Sequence, residues 1–167
     1  MMLNQKNNII LIIIFFIILS SIVSALIIEY YLGHKPCSLC LYERIPYFLS
    51  ILLIVKIFFF KKYEKITFLI LFLIFVVSTL LAFYHFGIEQ DFFNESFVCN
   101  VENQSNVLSK DQLLKELNKN VVSCKDVTFK FFGLSLASIN TILSVILSFI
   151  FLKLFFNYGS SSTSQYK

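Results

Sequence analysis

The sequence predicts an all-α membrane protein, a four-transmembrane-helix bundle carrying two cysteine-bearing loops on one face. Three observations lead there. Of 167 residues, 57% are hydrophobic and only 14% charged, whereas soluble chains carry roughly a quarter charged residues. Four long apolar stretches recur along the chain, close to the roughly twenty residues that cross a ~30 Å hydrocarbon core as helix. Finally, Cys37, Cys40, Cys99 and Cys124 all fall outside those stretches.

The mean hydropathy of +0.79 is more than a water-exposed fold of this length could hide, so the lipid bilayer must cover the remainder. The net charge of +4 comes from residues scattered between the apolar runs. Nucleic-acid binding needs clustered Lys and Arg on one face, and that stripe is absent.

The first span covers 9–28 and carries no charge. Lys6, the apolar run and Val23-Ser24-Ala25 loosely match a cleavable signal peptide, but the run continues through Leu26-Ile27-Ile28, long for such a segment. A retained span is the expectation. The second covers about 42–60, is interrupted by Lys56, and is long enough only if it begins near Leu41; Lys56 then reaches toward the nearer interface. The third and fourth cover 66–86 and 133–152. Residues 1–156 thus form one membrane domain, with loops at about 29–41 and 87–132. The polar, Ser-rich tail 157–167 is expected to be disordered and cytoplasmic.

Orientation rests on less. With both termini inside, Lys6, Lys56, Lys61, Lys62, Lys65, Lys153 and Lys167 face the cytoplasm, against Lys35, Arg44, Lys110, Lys115, Lys119, Lys125 and Lys130 opposite. The counts tie. The three lysines of the short connection Lys61–Lys65 favour termini inside, because charges in short loops near span ends count most. Cysteine placement agrees: spans two and three return the chain to its starting side, so all four thiols share one face, and co-facial cysteines suit an oxidising compartment such as the periplasm.

The local chemistry is that of a redox pair. Pro36 is favoured at a first helical position, which places Cys37 in the first turn, where the positive end of the helix dipole lowers a thiol's pKa. Cys40 lies one turn later on the same face and can close a small disulfide ring with it. Arg44, at i+4 from Cys40, projects near it; a fixed cation there stabilises a thiolate and can hydrogen-bond a quinone oxygen as charge develops.

Plainer readings stand beside these. A CxxC can be a zinc half-site, but Cys99 and Cys124 are too far apart for a second one and the histidines complete no C2H2 pattern, so no metal is expected. Haem attachment would need CxxCH, and Leu41 follows Cys40. Cys99 and Cys124 can staple the loop; Arg44 can be an interfacial anchor paired with Glu43; His85 can cap span three rather than handle protons. Four cysteines allow three pairings, and the residues alone do not choose. Within the long loop, Ser109-Lys110-Asp111-Gln112 reads as a capping box, followed by Leu113, Leu114, Leu117 and Val121 on one face of a short amphipathic helix that can lie on the bilayer.

Pro36-Cys37-Ser38-Leu39-Cys40-Leu41-Tyr42-Glu43-Arg44-Ile45-Pro46-Tyr47 resembles the P-C-x-L-C-x-x-x-R-x-P-Y signature of the DsbB disulfide-bond-formation proteins. Tyr84-His85-Phe86-Gly87-Ile88-Glu89 is similar to the Y-H-x-G-x-E that follows their third span. Phe129-Lys130-Phe131-Phe132-Gly133-Leu134-Ser135 is similar to their W-x-F-L-G-L-S before the fourth. The departures are Phe129 for Trp and Gln90 where an aromatic is common, and neither touches the sulfur chemistry.

The resemblance implies a thiol:quinone oxidoreductase of the bacterial inner membrane. In it the Cys99–Cys124 disulfide oxidises a periplasmic, DsbA-like thioredoxin-fold protein, with Cys99 forming the mixed disulfide. Electrons then pass by thiol–disulfide exchange to Cys37–Cys40, and Cys40, with Arg44 beside the ring and His85 near, delivers them to ubiquinone or menaquinone. Two alternatives are a quinone-linked oxidoreductase of the vitamin K epoxide reductase type, in which the loop cysteines precede the CxxC instead of following it, and a non-catalytic membrane scaffold with structural disulfides.

Overall fold

The structure, a computed structural model, describes residues 5–60, 63–94, 99, 124–125, 130–131 and 133–163. The capping box, the amphipathic segment behind it and Phe129 lie outside the described residues. Four long helices dominate: α1 (Gln5–Tyr30), α2 (Ser38–Phe59), α3 (Glu64–Glu89) and α4 (Leu136–Thr163). All four are long and apolar enough to cross a membrane. A minimal hairpin of β1 (Lys130–Phe131) and β2 (Leu134–Ser135) precedes α4, pairing Lys130 with Ser135 and Phe131 with Leu134.

The helix limits differ from the expected spans for local reasons. α2 starts at Ser38, before the expected 42, which gives the second span its length. Pro36 is not its first residue; Cys37 is the N-cap, in extended conformation, and its Sγ accepts the Cys40 N–H at 3.3 Å. α4 starts at Leu136, because Gly133 takes a positive φ of 82° in the hairpin turn and Ser135 Oγ accepts the Ser138 N–H at the new N-terminus. α4 runs on to Thr163, seven residues past the expected end of ordered chain. Lys56 donates to Thr67 Oγ1 in the first turns of α3, which keeps its charge at the end of the bundle.

A single core joins the helices. Leu11, Ile14, Ile18 and Ile22 of α1, at helical spacing, meet Tyr47, Ile54 and Ile57 of α2, Phe68, Leu71 and Phe75 of α3, and Leu147, Phe151 and Leu154 of α4. Phe75 stacks on Phe151 with ring centroids 5.5 Å apart, and Tyr47 meets Phe75 edge-on. In lipid, apolar burial does not by itself drive helices together, so close packing and polar links decide which faces meet. The α3–α4 interface is the most extensive, and at Ser78 and Ser144 it combines small side chains with an Oγ···Oγ contact of 3.1 Å. α1 packs chiefly on α2 and approaches α4 much less closely. That leaves a cleft between α1 and α4.

Candidate functional site

The cleft leads to one end of the bundle, where the cysteines collect. α1 ends at Tyr30, and the chain reverses through Gly33, whose φ of +73° permits the turn that returns the His34 N–H to the Ile28 carbonyl. Pro36 then delivers Cys37 to the head of α2. Cys37 is buried, Cys40 partly so, and both are free thiols with sulfurs 2.7 Å apart. They need only small torsional changes to form or open a disulfide.

Behind Cys37 stands His85 from α3, nearly fully buried. Its Nε2 lies 3.5 Å from Cys37 Sγ and its Nδ1 2.8 Å from Glu43 Oε1 of α2. An ionised carboxylate only accepts, so Nδ1 carries the proton and Nε2 is left to face the sulfur. The other oxygen of Glu43 accepts from Asn140 Nδ2 of α4 at 2.6 Å. Tyr47 Oη in turn donates to Asn140 Oδ1 and lies 3.2 Å from Ser144 Oγ. Glu89 brings a second carboxylate within 3.9 Å of His85 Nε2. A polar chain therefore runs from the thiol into the bundle through residues of three helices.

These contacts account for the acidity of Cys37, which is held well below the ordinary thiol value. The main cause is the hydrogen bond from the Cys40 thiol; burial opposes it, and the contact with His85 assists. The N-cap position adds the helix dipole in the same direction.

Cys99 and Cys124 form a disulfide. Both are buried and pack in one cluster with Cys37, Leu39 and Ile88, with Cys40 and Tyr84 at its edge. Beyond Cys124, Lys125 pairs with Asp91 at 2.5 Å, just past the end of α3. The motif from Tyr84 to Glu89 thus has a concrete arrangement. His85 and Glu89 face the thiols, Ile88 carries the disulfide, and Gly87 lies so close under the Phe93 ring that a Cβ there would stand 2.1 Å from it. Phe93, its ring 5.7 Å from that of Tyr84, supplies aromatic packing just after Gln90, where the family pattern commonly has an aromatic.

The cleft forms a cavity of about 550 Å³ reached by Cys37, Cys40, Cys124, His85 and Arg44, with Ile22, Ala25 and Leu143 among its apolar walls. Arg44 bonds Glu29 of α1 at 2.5 Å, so its partner is Glu29 and not Glu43. Cys37, Cys40 and His85 present three donors within 4.8 Å of one another, enough in number to begin a metal site. Yet two thiolates on one tetrahedral zinc stand about 3.8 Å apart, and 2.7 Å between these sulfurs suits a redox pair instead.

All six residues singled out in the sequence, Cys37, Cys40, Arg44, His85, Cys99 and Cys124, meet at this end of the molecule. Sequence reasoning missed Glu29, Tyr47 and Asn140, and it gave Glu43 and Glu89 no role at the site. A signal existed: Cys40, Glu43 and Tyr47 fall at i, i+3 and i+7 in an apolar span, and an ionisable residue inside such a span is a functional candidate by default.

Comparison with known proteins places the chain in a family. Residues 7–154 match the family model of the disulfide bond formation protein DsbB. The chain is also 29% identical over 141 residues to the uncharacterized protein RP370 of Rickettsia prowazekii (strain Madrid E), covering 83% of this chain and 81% of that protein. No solved structure matches. With four membrane-spanning helices and a family match over nearly all of them, the chain belongs to the DsbB family of disulfide bond formation proteins.

Proposed function

We propose that this protein is a thiol:quinone oxidoreductase of the bacterial inner membrane. It would re-oxidise a periplasmic, DsbA-like dithiol protein through Cys99–Cys124 and pass the electrons by Cys37–Cys40 to ubiquinone or menaquinone. Both termini would face the cytoplasm and the cysteine loops the periplasm. The observation that carries this reading is the burial of the Cys99–Cys124 disulfide against Cys37, beside a cavity onto which Cys40 opens. Thiol–disulfide exchange requires the attacking sulfur to reach the disulfide, and the two pairs share one cluster.

The cavity suits a quinone ring. Its volume falls in the ~300–1,000 Å³ range of small-molecule sites, and a few polar groups converge on largely apolar walls. When bound, a quinone supplies the capacity to accept two electrons and two protons. Arg44 would orient it by hydrogen bonding, His85 would stand near it behind Cys37, Cys40 would present its sulfur, and the α1–α4 cleft would admit the isoprenoid tail from the bilayer.

The test uses reduced, purified protein with added ubiquinone or menaquinone, following thiol loss and quinone reduction together. Both should proceed in step. Cys40→Ser should abolish quinone reduction, and Cys124→Ser should chiefly impair turnover with the soluble dithiol partner. A folded, reduced protein that reduces neither quinone would refute the proposal, and full turnover by both variants would refute the order of the relay.

A further inference from the structure

We propose that Glu43, held by Asn140, is a positioning residue that keeps His85 Nε2 against Cys37, so that His85 holds the Cys37 proton and the reduced pair stands ready as a thiolate to be oxidised. This rests on the oxidoreductase reading but concerns an arrangement that reading does not require. It is a carboxylate–imidazole–thiol line built across α2 and α3 and braced from α4.

The geometry sets the roles. Glu43 Oε1 fixes the Nδ1–H tautomer of His85 from 2.8 Å, and Asn140 Nδ2 occupies Oε2 at 2.6 Å. Asn140 is itself oriented by Tyr47, which also contacts Ser144. Glu43 is thus engaged on both oxygens and cannot swing away to pair with Arg44, which is committed to Glu29. With its tautomer fixed, His85 offers a lone pair to the Cys37 S–H, or as imidazolium donates to the thiolate.

The reaction balances as follows. When Cys37 and Cys40 are oxidised, one S–S bond forms and two electrons and two protons leave for the quinone. In the imidazolium–thiolate form the Cys37 proton already rests on His85 Nε2, where the Glu43 carboxylate stabilises it, and as the S–S bond forms His85 passes that proton on to the reduced acceptor while Cys40 loses its own. The other charged and titratable groups facing the pair are Cys40 and Tyr47 on α2, Glu89 on α3, the Arg44–Glu29 pair, and His34 and Lys35 on the cavity wall. Among the described residues, α4 contributes only uncharged polar groups here.

The sign of one substitution separates this role from a simple charge effect. Acting only as a nearby negative charge, Glu43 would disfavour the Cys37 thiolate, and removing it would make Cys37 more acidic. Acting through His85, Glu43 favours the imidazolium–thiolate form, and removing its charge makes Cys37 less acidic. The experiment measures alkylation of Cys37 by iodoacetamide against pH in the full-length, reduced, quinone-free protein, following the Cys37 peptide by mass spectrometry.

Glu43→Gln should slow the reaction roughly tenfold below its midpoint, the equivalent of one pKa unit. Asn140→Ala, which leaves the carboxylate in place, should slow it less, and in a His85→Ala background Glu43→Gln should add nothing. Faster or unchanged alkylation in Glu43→Gln, or equal slowing without His85, overturns the proposal. Because no quinone is present, a failure of the oxidoreductase reading would leave this result standing and show itself only in the quinone assay.

Discussion

Cys37 sits where three influences on a thiol converge: an N-cap position, a hydrogen bond from Cys40 and an imidazole at 3.5 Å. All three favour the thiolate, and only burial opposes them. Alkylation proceeds through the thiolate, so an ordinary thiol with pKa near ~8.5 loses about tenfold in rate for each pH unit below that value. Since the Cys37 pKa is lowered, its rate should stay level as pH falls through neutrality and drop only under more acidic conditions. Cys40→Ala removes the main donor and should move that drop upward in pH. A Cys37 profile in Cys40→Ala that coincides with the wild type would assign the acidity elsewhere. At this scale the sequence was most legible for the cysteines, whose spacing states their chemistry, and least for Glu43. Its neighbour Arg44 was its obvious partner, and only the approach of α1 with Glu29 separated the two.

Helix existence was plain in the apolar runs, because lipid demands about twenty residues of internally bonded backbone whatever the neighbours do. Helix limits were not. They depend on caps, and a cysteine acting as N-cap and a serine capping α4 after a glycine turn have no apolar signature. Two substitutions compare the forces holding the elements. Ser78→Ala removes the Ser144 contact between α3 and α4 and should cost only about 0.6 kcal/mol, the typical worth of an interhelical hydrogen bond in a membrane. Gly87→Ala forces the Phe93 ring from its place over α3 and should cost about 1–3 kcal/mol by overpacking, disturbing the turn that leads toward the loop disulfide. Equilibrium unfolding in mixed micelles measures both, and an equal or reversed ranking would show that Phe93 moves aside freely.

For the whole molecule, the decisive feature is that four helices bring two cysteine pairs to one end, with a cleft opening sideways between α1 and α4. If the cysteine end faces the periplasm, a cysteine placed at Tyr31 in a background lacking the native thiols should react with a membrane-impermeant maleimide on intact spheroplasts. One placed at Phe60 should react only after lysis, and the reverse pattern would invert the topology. The sequence by itself determined the membrane class, the four spans and the shared face of the cysteines. Hydropathy and an even number of crossings between two loops are properties of the chain in order. Only the tertiary structure decided that His85 bonds Glu43, that Asn140 from α4 completes the pair, and that Arg44 belongs to Glu29. Those partners lie as many as 97 residues apart, and which helix faces meet is set by side-chain packing across the bundle, which no local pattern encodes.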